Sequence, residues 1–403
     1  MLDAPVKQHL IDPEICIRCN TCEATCPVDA ITHDDNNYVV DAAKCNFCMD
    51  CIPPCPTGSI DNWFVVNKVF SIEDQFSWLE LPPKPPEAET STADALDDEA
   101  QHLLDEAHTG AGGHVPAPAS AAKPRINLFN RAKPAIATVT GNLRITAPDT
   151  DSDVRHIILD FGTVAFPLLE GQSIGIVPPG RDANGRSHTM RLYSIASPRD
   201  GERPNTNNLA ITVKRVHEPR DDGTMFAGIA SNFLCDLTLG ATIEVIGPFG
   251  ATFLMPDDPD ADIVMICTGT GSAPFRGFTE RRRRTASTPR GRLHLYFGAR
   301  TPGELPYFGP LQRLPETLIV KELVYSRIPE QPREYVQDRM RSRSASLAAL
   351  LAKDTLHIYI CGVHGLESGA EAALTDIAAN AGLDWSALRA RMRAEGRFHV
   401  ETY

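Results

Sequence analysis

No stretch of this 403-residue chain approaches the eighteen or so consecutive apolar residues of a membrane span, so a membrane-embedded body is not expected. Basic residues are in deficit, 39 Lys and Arg against 52 Asp and Glu, for a net charge of −13. The positive surface that a phosphate backbone demands is missing, which speaks against nucleic acid as a main partner. The opening MLDAPVKQHLIDPE lacks the basic-then-apolar layout of a signal peptide, and a cytoplasmic location is the expectation. Aromatic residues are sparse at 7%, yet the 42% hydrophobic and 23% charged fractions are those of ordinary globular proteins, which excludes global disorder, collagen and coiled coil. Cysteine is scarce over most of the chain: of eleven, only Cys235, Cys267 and Cys361 lie outside the span from Cys16 to Cys55. That confinement argues against a distributed disulfide framework. The length suggests roughly two to three domains.

What the first 60 residues hold is a repeat. IDPEICIRCNTCEATCPVDAI at 11–31 returns 29 positions later as VDAAKCNFCMDCIPPCPTGSI at 40–60. Both copies read C-x2-C-x2-C-x3-C-P, with Cys16, Cys19, Cys22 and Cys26 in the first and Cys45, Cys48, Cys51 and Cys55 in the second. Three closely spaced thiolates wrap three irons of one cubane, and in this pattern the fourth cysteine ligates the other cluster. The expected quartets are therefore Cys16, Cys19, Cys22 and Cys55, and Cys45, Cys48, Cys51 and Cys26. Pro27 and Pro56 turn the chain just after each crossing ligand. The alternative is a zinc ribbon, which wants paired C-x2-C knuckles and closed tetrahedral sites. The pattern resembles a bacterial-type ferredoxin with two 4Fe-4S clusters, and that resemblance implies one-electron transfer.

Residues 81–125 are rich in Pro, Ala, Gly and acid and read as a tether. Within them Leu96, Ala100, Leu103, Leu104 and Ala107 recur at helical spacing, consistent with a short amphipathic helix able to dock on either neighbour. A fully flexible tether of this length has a root-mean-square span of about 35 to 40 Å, enough for a head that swings; a passive connector is the alternative.

Between 126 and 258 the segments AIATVT, VRHIILDF, LAITVKRV and ATIEVIG alternate apolar and polar residues between Gly, Pro and Asp, the signature of a small antiparallel barrel. From 259 to 403 the pattern becomes buried strands followed by helices, with IVMIC, RLHLYFGA, IVKELVY and TLHIYIC as strands of a parallel α/β domain. The expected architecture is multidomain α+β and α/β: a ferredoxin-like head over 1–80, a linker, an antiparallel FAD-binding β-barrel over 126–258 and a parallel α/β NADP-binding domain over 259–403.

The cofactor names in that architecture rest on a likeness. RLYSIAS at 191–197, SNFLCDL, CTGTGSAPFRGF at 267–278, YICGVHGLESG and HVETY closely resemble plant-type ferredoxin–NADP+ reductases over nearly all of residues 135–403. The resemblance implies that Arg191 pairs with the FAD pyrophosphate, Tyr193 stacks on the isoalloxazine and Ser194 lies beside flavin N5, with Ser231 and Asn232 near the pyrophosphate. Thr268, Gly269, Thr270 and Gly271 fall between a strand and a helix, where glycines let backbone approach a nucleotide pyrophosphate. By the same resemblance Ser326, Arg327 and Tyr335 surround a 2′-phosphate, making NADPH the preferred substrate. Cys361 and Glu401 then lie at the nicotinamide, and Tyr403 covers the other flavin face. A buried Cys361 serving only as packing is the alternative, and Cys235 and Cys267 read as structural. Arg281 to Arg284 form a run whose readings are a solvated helix face or a docking patch for an acidic partner.

The order of the parts, together with KQHLIDPEICIRCNTCEATCPVDAI, is similar to the reductase components of two-component benzoyl-CoA 2,3-epoxidases. It implies electron flow from NADPH through FAD and two 4Fe-4S clusters to a separate di-iron oxygenase component. A general ferredoxin–NADP(H) reductase with a fused ferredoxin and a non-catalytic redox sensor are the competing readings.

Overall fold

The computed structural model describes residues 6–60, 63–82, 98–108, 115–182, 185–219, 224–285 and 291–403. The chain divides into two compact units, one of residues 1–94 with 160–166 and 200–208, the other of the remainder.

The first unit contains β1 (Val6–His9), α1 (Thr21–Thr25), β2 (Ile31–His33), β3 (Tyr38–Val40), β4 (Trp63–Val66) and α2 (Ile72–Phe76). β1 pairs antiparallel with β4 and β2 with β3. The cysteine repeat is also a conformational repeat. Arg18 and Asn20 in the first copy and Phe47 and Met49 in the second, each 29 positions on, all take positive φ, between 55° and 69°. Left-handed backbone at non-glycine residues costs about 1 to 2 kcal/mol each, and it recurs at matched positions of the two cysteine loops. The apolar core here is small: Ile11, Ile31, Tyr38, Val40 and Ile60 with Cys22 and Cys51. A core of that size ordinarily needs a covalent or metal staple. α2 is stopped and started locally, by a capping box in which Ser71 Oγ accepts from the Asp74 amide and Asp74 accepts from the Ser71 amide.

The second unit opens with α3 (Asp98–His108), followed by β5 (Ala135–Arg144), β6 (Val154–Asp160), β7 (Ser173–Ile176), β8 (Arg191–Ser194), β9 (Asn208–Lys214), β10 (His217–Pro219), β11 (Met225–Ala227), α4 (Ile229–Asp236) and β12 (Thr242–Phe249). The six-stranded order is β8-β7-β12-β5-β6-β9, and an Ile195–Ile211 bridge joins the two outer strands into a barrel. Ala135, Ala137, Val139 and Gly141 of β5 are buried in alternation with exposed or half-buried neighbours, which is the alternation the sequence shows. Glu170, fully buried, accepts from Arg199 Nη2 at 2.7 Å and from the Arg199 amide at 2.7 Å, clamping the loops at one end of the barrel. α3 falls inside the expected tether but is packed on the barrel: Ala100, Leu103 and Leu104 share a cluster with Met190, Leu192, Ile246 and Phe249. Its Glu99 accepts from the Met190 amide at 2.9 Å and pairs with Arg131.

The chain continues with β13 (Asp262–Thr268), α5 (Ser272–Thr285), β14 (Leu293–Ala299), α6 (Phe308–Gln312), β15 (Ile319–Tyr325), α7 (Val336–Ser342), α8 (Ser344–Leu351), β16 (Leu356–Gly362), α9 (Leu366–Asn380), α10 (Trp385–Ala394) and β17 (Phe398–Thr402). These strands form one parallel sheet in the order β15-β14-β13-β16-β17. β13 and β16 are near-continuous apolar runs because helices cover both faces. The four-arginine run on α5 is neither wholly solvated nor a free patch. Arg282 is buried and donates to the carbonyls of Pro259, Ala261 and Gly291, Arg281 faces Asp257, and Arg283 and Arg284 turn to Glu280. Among the described residues no helix is long and apolar enough to cross a membrane.

Candidate functional site

The eight thiols of the repeat sort into two cavities. One is lined by Cys16, Cys19, Cys22 and Cys55. The other is lined by Cys26, Cys45, Cys48 and Cys51. Each thus takes three sulfurs from one repeat and the fourth from the other. Burial repeats as well: the third cysteine of each run is buried, the second exposed and the others half-buried. Four thiol donors per cavity, drawn from both repeats, fit the cysteine set of an iron–sulfur cubane.

The second locus lies at the carboxyl ends of the parallel strands, between β13 and β16, where the strand order reverses. Open α/β sheets bind ligands at such switch points. Three register-matched residues from three strands stand in a row there, Cys267 beside Cys361 and Cys361 beside Glu401, with Gly362 beside Thr402 one step on. The turn Gly269–Gly271 follows β13 and leads into α5. A Cβ on Gly271 would lie 2.1 Å from the Cys361 carbonyl oxygen, so only glycine permits this approach. Gly362, with φ at 156°, leaves room for Thr268, whose Oγ1 is buried with no hydrogen-bond partner among the described residues. Thr270 Oγ1 is 2.6 Å from Tyr403 Oη, and the Tyr403 amide donates to the Gly362 carbonyl at 3.0 Å. Burial, Glu401 and Cys267 push the Cys361 thiol well up, and burial pushes the Glu401 carboxyl up to about 8. An unpartnered hydroxyl beside a backbone cradle that no side chain fills suits a nucleotide.

The barrel contributes a third group of residues. In β8, Arg191 is exposed and its Nη1 donates to Thr189 Oγ1 at 2.9 Å and to the Met190 carbonyl at 3.0 Å. Tyr193 and Ser194 are half-buried, and desolvation raises the Tyr193 phenol above its usual range. Ser231 and Asn232 lie in the first turn of α4 and bond locally. Ser231 Oγ accepts from the Val216 amide at 3.2 Å, and Asn232 Nδ2 donates to the carbonyls of Val216 and Gly228 at 3.0 and 2.8 Å. They fix the start of α4, whose N-cap, Gly228, supplies no side-chain acceptor. α5 presses on the chain just after β8, with Arg276 Nη1 donating to the Ala196 carbonyl at 2.9 Å, and this brings barrel and nucleotide turn together. Cys235 is buried in α4 and Cys267 in β13, as packing residues are.

Ser326 and Arg327 follow β15, and their amides donate to the carbonyls of Ala299 and Arg300 at 3.1 and 2.8 Å. Arg327 and Tyr335 are exposed, and Arg327 has no ion-pair partner among the described residues. Arg339 is occupied, held by Glu322 at 3.0 Å and Glu334 at 2.7 Å. Gly362 and the hydroxyls of Thr21, Thr57 and Ser59 at the cysteines escaped the sequence reading. Their signals were present, in the glycine after Cys361 and in the positions where the two repeats differ.

Comparison with known proteins agrees with this geometry. A family model described as an oxidoreductase NAD-binding domain matches residues 265–372, and one described as a 4Fe-4S dicluster domain matches residues 15–59. The ferredoxin–NADP reductase of Thermosynechococcus vestitus is 35% identical over 292 residues, spanning 69% of this chain and 75% of the relative. The chloroplastic ferredoxin–NADP reductase of Spinacia oleracea is 33% identical, over 69% of this chain and 78% of the relative. In fold, the ferredoxin–NADP+ reductase from Plasmodium falciparum with 2′P-AMP superposes with a TM-score of 0.53 at 22% identity, covering 69% of this chain and 99% of that one. The chain belongs to the ferredoxin–NADP reductase family of flavin- and NADP-dependent oxidoreductases and carries, ahead of that body, a 4Fe-4S dicluster domain.

Proposed function

We propose that this chain takes electrons from NADPH through FAD and two 4Fe-4S clusters and delivers them to a separate di-iron oxygenase component that epoxidises benzoyl-CoA in aerobic aromatic degradation. The observation that carries the electron-transfer reading is the sorting of eight thiols into two four-sulfur cavities on a chain that is otherwise an NADP reductase. When bound, FAD accepts two electrons as hydride and releases them singly, and each cluster carries one.

This chain's own residues do the rest. Arg191 and the first turn of α4 hold the flavin pyrophosphate, Tyr193 covers one ring face and Ser194 supplies a hydroxyl for the proton at N5. Tyr403, tethered by Thr270, covers the other face and moves aside for nicotinamide. Gly269 and Gly271 admit the nucleotide, Thr268 gives it a hydroxyl, and Ser326, Arg327 and Tyr335 select the 2′-phosphate, hence NADPH over NADH. Cys361 packs against the nicotinamide, and Glu401, with its carboxyl at about 8, keeps a proton there at neutral pH. Cys16, Cys19, Cys22 and Cys55 hold one cluster, and Cys45, Cys48, Cys51 and Cys26 the other. The domain limits under this reading are 1–80, 81–125, 126–258 and 259–403.

The oxygenase and benzoyl-CoA rest on the likeness of the whole layout. Anaerobic stopped-flow and EPR with NADPH test the internal path: flavin bleaching followed by cluster signals is expected, and bleaching without them overturns it. Oxygen-dependent turnover of benzoyl-CoA with a separate di-iron protein tests the acceptor. A second reading, a general ferredoxin–NADP(H) reductase with a fused ferredoxin, is favoured by the names of the curated relatives. It predicts a broad range of acceptors and no gain from benzoyl-CoA.

A further inference from the structure

The two thiol cavities match in burial but not in chemistry. In the first, Cys19 Sγ lies 2.6 Å from Thr21 Oγ1, and Cys55 Sγ lies 3.3 Å from Ser59 Oγ and 3.8 Å from Thr57 Oγ1. Tyr38 and Asn20 complete its polar lining. The equivalent positions, 29 residues away, are Asp50, Ala30 and Val28, of which Ala30 and Val28 line the second cavity. Its crossing ligand Cys26 receives the Ala30 amide, at 3.3 Å, and no hydroxyl among the described residues, and its walls are Val28, Ala30, Ile31, Val40 and Met49, with His9 and Asn46. Asn46 Oδ1 already accepts from the Cys48 amide at 3.2 Å.

We infer that the first quartet sets the higher reduction potential of the two, and that Thr21 and Ser59 are the residues that raise it. The inference rests on the two-cluster reading. A sulfur ligated to iron is an acceptor only, so a hydroxyl beside it must donate. Donation to sulfur favours the reduced form, which carries one more negative charge, and hydrogen bonding to sulfur together with exposure is what spreads iron–sulfur potentials. Exposure is alike in the two quartets, so the hydroxyls decide the order. The first electron to enter the module settles on the cluster of Cys16, Cys19, Cys22 and Cys55, and the second enters the apolar cavity at a lower potential.

The test is an EPR-monitored redox titration of the iron-replete full chain, with dithionite as the electron donor. Two one-electron waves are expected. Ser59→Ala and Thr21→Val should each move the upper wave down, by about tenfold in the reduced-to-oxidised ratio at fixed potential, or about 59 mV, and leave the lower wave in place. Cys26→Ser should remove the lower wave and keep the upper, which assigns them. Coincident waves in the wild type, or an upper wave that neither hydroxyl variant moves in protein with full iron, overturn the inference. Wild-type iron short of two clusters would instead overturn the reading beneath it.

Discussion

Gly271→Ala places a methyl group 2.1 Å from the carbonyl oxygen of Cys361 and 2.6 Å from its carbon. Contacts of Cβ below 3.0 Å essentially do not occur, so the turn and β16 must separate by about 1 Å. The atoms it meets are backbone of β16, held between β13 and β17, and no rotamer change relieves the clash. Overpacking costs about 1 to 3 kcal/mol, and the rigid neighbours put this case at the upper end. The melting temperature should fall by about 5 to 10 °C. The same 1 Å displaces bound nicotinamide, and misplacement of that size costs about 100-fold in the rate of hydride transfer. Gly382→Ala, at the end of α9, is the control. Its φ is 72° and a Cβ there meets nothing within 4 Å, so it carries only backbone strain of about 1 to 2 kcal/mol and moves no neighbour. Anaerobic stopped-flow reduction by NADPH compares them, with thermal unfolding in parallel. Equal hydride-transfer rates in the two variants would refute the reasoning.

Three further outcomes follow from the described geometry. Cys26→Ser should lower bound iron from about eight to about four atoms per chain, because it removes the crossing ligand of one cavity and leaves the other intact; retention of all the iron with unaltered spectra rejects crossed ligation. The Glu401 carboxyl is raised to about 8, so the folded chain keeps a proton that the unfolded chain releases above its ordinary value near 4.5. Stability should therefore fall as pH rises from about 5 to 8, by roughly 1.4 kcal/mol per pH unit from this group, and Glu401→Gln should remove that slope from melting curves recorded across the window. Arg327→Ala should raise the KM for NADPH by about tenfold or more, the worth of a charge-assisted hydrogen bond, and leave that for NADH in place; equal effects on the two would count against a phosphate contact.

Residues whose role is written in spacing were readable without coordinates. The two C-x2-C-x2-C-x3-C-P runs, the glycines between β13 and α5, and the alternation in β5 each follow from a local rule about metal reach, backbone approach or pleat. What stayed hidden depends on partners far along the chain. Arg282 looked like one charge in a surface run, yet three carbonyls from outside α5 draw it inward. Glu170 and Arg199 carry no motif, and only folding puts them 2.7 Å apart. The helical spacing around Ala100 was visible, but its docking on Met190 and Phe249 was not, since an apolar stripe names no surface to cover. The side chains of Ser231 and Asn232 are taken up by bonds to the backbone of Val216 and Gly228, partners the motif itself does not name.

The exchange of the fourth thiol between the repeats also bears on how the head is put together and how it survives damage. Neither half can complete a cavity alone, so a nascent chain that has released only its first cysteine run has no finished site to load; the quartet with Cys26 is complete once Cys51 emerges, and the quartet of the first run only when Cys55 follows. The converse holds after synthesis. A protease cut at the Asp34–Asn37 turn between β2 and β3 would leave each thiol cavity lined by cysteines from both sides of the break, so under the proposed reading the clusters would hold the two pieces together.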